Sequence, residues 1–445
     1  MQRRMGLVAA MESGEVKLDY SGNEQTELET ALVSDLIALN TSEAECAGLE
    51  AENKVSVAAV TVLENIALAL EASLLTGGLN QAGAQVLEIS LEHLYSQVGV
   101  RVSQVLPALE SFNQPGKRVT STSIALEETK GVIRKVWDAI VAAIRKSIAW
   151  VQEHFTKVFG KANLLERRAK ALLKLARAPR GSQKAKTFEN PHLTRSLYIA
   201  GTVPSIMAGP THKLKAITGA VFALNSKFGE AIATAMEVGD PGKFMLVMME
   251  EAINGSDLAK MLTDVTNPAG DGLTPRGTDV KLMRSIEMFG GKAIIANVPK
   301  GDITTLSLDD QVRILNEVTT HVGPFKPSLN APDNKTLPVL TISDTVTVSE
   351  LVAEIAVAVQ QYRQGIDRCT KIKERIAKAV EKLGTDNATE TDVTKSDSIK
   401  YMQKIGSTLP RMLDQPQSSF AVYVLATGTA LLDYVELSLK QYAKA

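Results

Sequence analysis

The chain has 445 residues, enough for two to four structural units and for a sizeable core. A hydrophobic fraction of 44% and a charged fraction of 22% exclude wholesale disorder, and aromatics at 4% point to helices built on Ala, Leu, Val and Ile. The net charge of −1, from 49 Lys+Arg against 50 Asp+Glu, argues against a polyanion or membrane-surface partner when taken over the whole chain. Cys46 and Cys369 lie far apart with no C-x-x-C, so neither a disulfide framework nor a zinc site is supported and a reducing compartment fits best. The N-terminal apolar run ends at Ala10, too short for an export signal. The stretch Phe420 to Leu432 is well below the ~20 residues that span a bilayer and reads as a buried core helix.

Divided by segment, the charge is far from neutral. Residues 1–110 hold five Lys+Arg against sixteen Asp+Glu, a net of −11. Residues 111–186 hold seventeen against five, a net of +12, and the remaining chain carries −2. This asymmetry suggests an acidic arm beside a polyanion-facing region; mutual electrostatic pairing of the two segments is the alternative.

In chain order, residues 13–54 are polar and carry only a weak helical run at Leu28 to Leu39. Ala59, Leu63, Ile66, Leu70 and Leu74 then step by three or four, Gly77-Gly78 stops the helix, and Leu87, Leu91, Leu94 and Val98 repeat the pattern, predicting a helical hairpin. Pro107, Pro115 and Gly116 break regular structure and leave Ala108-Leu109-Glu110-Ser111 in an exposed linker. A long basic amphipathic helix follows, its stripe running through Ile133, Val136, Trp137, Ile140, Ile144, Ile148, Val151, Phe155 and Val158, with Trp150 inside it. Lys130, Arg134, Lys135, Arg145, Lys146 and Lys157 occupy its other positions, and Arg167, Arg168, Lys170 and Lys174 extend the series. Such a helix packs on the chain's own core, lies on a membrane, or faces a polyanion. With no aromatics interleaved among the basic residues, nucleic-acid contact would be to phosphates and non-specific.

After the linker Ala178 to Ser182, helical stripes run from Leu214 to Ile232 and across Phe244 to Leu262. Ile286 to Phe289 and Lys292 to Val298 read as two strands joined by the Gly290-Gly291 turn, Leu337 to Ile342 as another strand, and Leu308 to Val318 as a flanking helix. From Leu351 to Leu383 a stripe persists for about nine turns and includes Cys369, read as a buried inert thiol. Gly384 to Ser398 reads as a connector, with two further helices at 399–412 and 420–439. The fold class is therefore mainly α with a small β element. Its parts are an acidic segment that is helical from about residue 55 (1–110), a basic amphipathic helical segment (111–186), an α+β region with the Gly-Gly hairpin (187–345) and a C-terminal helical hairpin or bundle (346–445).

No phosphate-cradling, zinc-hydrolase or nucleophile-elbow motif is present, and the five histidines are scattered, so no catalytic residue, metal site, cofactor or small-molecule substrate is assigned. The segment Gly78-Leu79 to Leu87, Leu91-Glu92-His93-Leu94-Tyr95, Val98-Gly99-Val100 and Pro107 to Phe112 resembles the N-terminal region of internal head proteins of giant tailed bacteriophages. The Ile133…Trp137…Phe155 helix and the turn Phe289-Gly290-Gly291-Lys292-Ala293-Ile294 are similar to later parts of that family. The resemblance implies a structural protein of the virion interior, made in the host cytoplasm and packaged in the prohead with other head proteins. It further implies an N-terminal propeptide removed by a phage maturation protease after a small-x-Glu motif. Ala108-Leu109-Glu110 matches that motif, with Ser111 as the new N-terminus; Ala10-Met11-Glu12 is a secondary candidate, and Ala69-Leu70-Glu71 and Ala125-Leu126-Glu127 also match. Cleavage at Glu110 would leave a chain of net charge +10, suited to non-specific contact with packaged double-stranded DNA. The alternatives are a membrane-active or ejected virion protein acting through the basic helix, and a plain scaffold.

Overall fold

In a computed structural model, residues 55–98, 106–250, 256–327, 332, 335–389 and 393–444 are described. Ala10-Met11-Glu12 and the polar stretch 13–54 lie outside them. Helix α1 (Val55–Leu75) ends where Gly77 and Gly78 take φ of +97° and +87°, a region open to glycine at little cost. The second glycine is also a point of close approach, because a Cβ there would sit 2.7 Å from the Arg118 carbonyl carbon. Asn80 caps α2 (Gln81–Gln97), its side-chain oxygen accepting from the Gly83 N–H. The helical hairpin expected from the leucine spacing is thus formed.

Helix α3 (Pro115–Arg177) is 63 residues long, about 95 Å at 1.5 Å per residue. Pro115 opens it where a missing N–H removes no helical bond. Val132, Val136, Trp137, Ile140 and Ile144 are buried along one stripe, which resumes at Leu165, Ala169, Leu172 and Ala176. The side chains of Ile148, Trp150, Val151, Phe155, Lys157 and Val158 lie outside those described.

The chain continues through β1 (Arg180–Gln183), β2 (Thr187–Glu189), α4 (Pro191–Leu197), α5 (Ala208–Val238), α6 (Pro241–Val247) and α7 (Asp257–Lys260). Next come β3 (Thr263–Asp264), β4 (Val280–Arg284), β5 (Lys292–Pro299), α8 (Leu308–Glu317), β6 (Thr319–Pro324) and β7 (Thr336–Pro338). Two 48-residue helices, α9 (Ile342–Thr389) and α10 (Val393–Lys440), and the short β8 (Tyr442–Lys444) complete it. β3 to β6 form an antiparallel sheet in sequence order, while β1 pairs with β8 and β2 with β7, both antiparallel. α9 is the central helix: α3, α5 and α10 all pack along it. Residues 45–445 form one compact unit, and one core joins Leu63, Leu70 and Leu91 to Val136, Ile140, Met236, Ile376 and Ile405.

Several expectations are corrected. The first strand of the hairpin is Val280–Arg284 rather than Ile286 to Phe289, with Arg284 opposite Ile295. Phe289–Gly291 instead forms a 3-10 turn, held where Gly290 N–H donates to the Tyr198 carbonyl and Phe325 N–H to that of Gly291. Both glycines have positive φ, as the turn requires. The strand expected at Leu337 to Ile342 is Thr336–Pro338, because Ile342 already begins α9. The stripe 244–262 is not one helix: α6 passes into a π turn at 248–250, and Ser256 is extended where it caps the short α7 at Asp257. The polar stretch after Gly384 is helical to Thr389, and the two last helices are one, α10, which runs through Pro410 and Pro416. A mid-helix proline costs roughly 3 kcal/mol. Burial of Tyr401, Met402 and Ile405 on one side and of Phe420 to Leu439 on the other holds both flanks in one line.

Candidate cleavage turn and basic helix face

The first site is built on a single 3-10 turn, Leu109–Phe112, between α2 and α3. Ala108 and Glu110 are exposed, whereas Phe112 is fully buried (0%) and anchors the turn in the core. Ser111 closes it twice: its N–H and its hydroxyl both donate to the Ala108 carbonyl, at 2.8 and 2.7 Å. The Ser121 hydroxyl donates to Ser111 Oγ at 2.7 Å, and Arg118 Nε–H donates to the Phe112 carbonyl at 2.8 Å. A protease cleft reads extended backbone, so this turn must open before the Glu110–Ser111 bond can enter one. The competing triplets are less accessible. Ala69-Leu70-Glu71 lies within α1 with Leu70 buried, and Ala125-Leu126-Glu127 within α3 with Ala125 and Leu126 buried.

The second site is the outer face of α3. Arg134, Lys135, Lys146, Arg167 and Lys174 are exposed, with no ion pair among the described residues. At ~100° per residue they fall within about 120° of arc, opposite the apolar stripe. The other candidates are engaged within the chain. Lys130 meets Glu71 at 3.0 Å, Arg145 meets Glu381 at 2.7 Å and Lys170 meets Glu166 at 2.5 Å, all with the cation exposed. Exposed pairs of this kind are worth only ~0–1 kcal/mol and exchange readily for other anions. Arg168 differs. Its guanidinium reaches Asp433 at 2.5 Å and Glu436 at 2.8 Å with only 26% of the side chain exposed, clamping α3 to α10. Burial pushes the Glu436 carboxyl up, but hydrogen bonds from Arg168 and Lys440 more than offset it and hold it below the ordinary value. Arg168 therefore serves this clamp.

The hairpin shares an apolar core with the rest of the chain through Leu63, Leu70 and Leu91. Among the described residues its ion pairs are Glu71–Lys130 and Glu64–Lys404, the latter at 3.7 Å. Glu64 is buried on the apolar side of α1, and burial raises its carboxyl despite the opposing charge of Lys404. Tyr95, beside Glu128, is pushed up to about 12 by burial and then by that charge. Sequence reasoning missed Glu64 and placed Arg168 with the phosphate-facing cations rather than in a clamp. Glu64 had a signal, a carboxylate next to Leu63 in an apolar stripe; the clamp had none, because the partners of Arg168 lie more than 260 positions away. Among the described residues no group of three His, Cys, Asp or Glu is placed to hold a metal ion.

Two described helices are long and apolar enough to cross a membrane by length and composition, Val55–Leu75 and Ser419–Lys440, with 33% and 67% buried. Both lie in the unit just described, and the basic helix is not one of them.

A family model of phiKZ-like phage internal head proteins matches residues 38–437, which takes in the hairpin, the turn, the whole of α3 and the helices that pack on it. The chain belongs to this family. No curated protein and no solved structure matches it. As a phiKZ-like internal head protein it is a structural component of the virion, located inside the capsid.

Proposed function

We propose that this internal head protein is cut between Glu110 and Ser111 by the phage maturation protease during assembly, and that the mature chain then lies against packaged double-stranded DNA through the outer face of α3. The observation that carries the reading is a coincidence of position. The one small-x-Glu triplet of those considered that lies outside an α-helix, among the described residues, marks the boundary between net charges of −11 and +12. Cutting there leaves residues 111–445 with a net charge of +10.

Arg134, Lys135, Lys146, Arg167 and Lys174 are exposed while the hairpin is in place, so α1 and α2 do not cover them. The arm acts on this face through its field instead, and eleven of its sixteen acidic residues precede residue 55. Phosphate contact by such a face is sequence-independent and weakens with salt. Mass spectrometry of virion peptides tests the cut: a semi-specific peptide beginning at Ser111 is expected, and a peptide that spans Glu110–Ser111 as the dominant species in mature particles would refute it.

A further inference from the structure

The two sides of the Glu110–Ser111 bond share one core. Leu63, Leu70 and Leu91 before the cut are buried in the same cluster as Val136, Ile140 and Ile405 after it. The Leu79 N–H donates to the Thr122 hydroxyl at 2.8 Å, and the backbone at Gly78 lies against that of Arg118 and Val119. Each new end has a buried anchor near the break: Leu106 lies four positions before Glu110, and Phe112 directly follows Ser111.

From this interface we propose that cleavage and release are separate events, and that the cut arm stays bound as a non-covalent partner of the mature chain, seated through α1 and α2 on α3 and α10. The inference rests on the cleavage reading above. Hydrolysis adds one water across the Glu110–Ser111 amide: the C–N bond breaks, hydroxyl passes to the Glu110 carbonyl carbon and hydrogen to the Ser111 nitrogen. The new carboxylate forms on exposed Glu110 and the new ammonium on half-buried Ser111, and the step gives up the bonds from Ser111 to the Ala108 carbonyl but none of the apolar contacts of α1 and α2. The nicked protein keeps the charge of the precursor until the hairpin leaves. Departure therefore needs a second event, such as further cuts within α1 or α2 or local unfolding that exposes them.

The test uses the full chain with a recognition sequence for a site-specific protease inserted after Pro107. After complete cutting, verified on a denaturing gel, the sample is run on a native sizing column at about 1 μM, in ordinary salt and again at about 1 M salt, where surface charges are screened. Both fragments are expected together, at the elution volume of the uncut chain, in both buffers. Separation of the fragments in both buffers would overturn the proposal, and separation only at high salt would overturn its apolar basis in favour of charge pairing. Should the insertion disturb folding, the same sequence placed between residues 101 and 102 repeats the measurement. Because the cut is made in vitro, failure here is distinct from failure to find Ser111 at the N-terminus in virions.

Discussion

Replacing Arg134, Lys135, Lys146, Arg167 and Lys174 together by glutamine should flatten the salt dependence of DNA binding, and the structure sets the size of the effect. Arg134 and Lys174 are 40 positions apart on one helix, a span of about 60 Å. A straight rod lying along B-DNA meets a phosphate strand about twice per ~34 Å turn, so roughly three or four cations reach phosphates together. With a slope near −0.9 per contact, log K against log salt should fall with a slope of about −3. Between 50 and 200 mM salt that is a loss of roughly 60-fold, against less than about 4-fold for the quintuple variant. Fluorescence anisotropy with a labelled duplex of about 24 base pairs, on chain cut after Glu110 and freed of its arm, measures both. The substituted positions are exposed, so the melting temperature should be little changed and serves as the folding control. An equally steep slope in the variant would place the contacts elsewhere and refute the assignment of this face.

Arg168→Met should destabilise the chain by about 2 kcal/mol. Breaking a buried pair costs ~3–5 kcal/mol, discounted here because a quarter of the side chain is wet and Lys440 still meets Glu436 at 3.0 Å. Urea unfolding reads it, and a change under about 0.5 kcal/mol would mean that the clamp carries no stability. Gly78→Ala should lose roughly 2 kcal/mol more than Gly77→Ala: both have positive φ, but only at Gly78 does the new Cβ strike the α3 backbone. Equal melting temperatures would contradict the close approach. Glu64, with its folded pKa raised above 4.5, binds a proton more tightly in the folded chain, so its burial costs stability at neutral pH and that cost vanishes as pH falls through the raised value towards 4.5. The stability of wild type relative to Glu64→Gln should accordingly rise as pH falls from 7 towards 4.5, measured by urea midpoints. A difference that stays constant with pH would show that Glu64 is not desolvated.

How much of this was legible in the sequence depended on the range of the forces involved. The Leu63, Leu70, Leu91 spacing with Gly77-Gly78 between its halves specified the hairpin, and the Val136 to Ile144 stripe specified α3, because helix periodicity is local. The union of the last two helices was hidden, since Pro410 and Pro416 are local breakers that distant packing of Phe420 to Leu439 overrides. The hairpin register slipped because Ile286 to Phe289 is as apolar as a strand but is spent on a turn against Tyr198. At the candidate sites, charge counting located the boundary at Glu110 and the basic positions of α3. It could not tell Arg168, clamped by residues of α10, from Arg167 beside it, because that distinction is made by contacts across the fold.

The position of α3 in the chain has a consequence for the time at which it can fold. Its C-terminal half is covered by elements made much later: Leu165 lies against Gly428, and Glu166 accepts a hydrogen bond from Gln360. Helix α9 begins about 165 residues after α3 ends, a wait of roughly 10–30 s at ribosomal speeds of ~5–20 residues per second. The N-terminal part has cover at once, because α1 and the turn after it emerge first and contact Arg118, Thr122 and Lys130 through Gly78, Leu79 and Glu71. The earliest shelter for the longest helix of the nascent chain is therefore the hairpin that the proposed cut severs, and loss of that hairpin belongs to a stage after synthesis is complete.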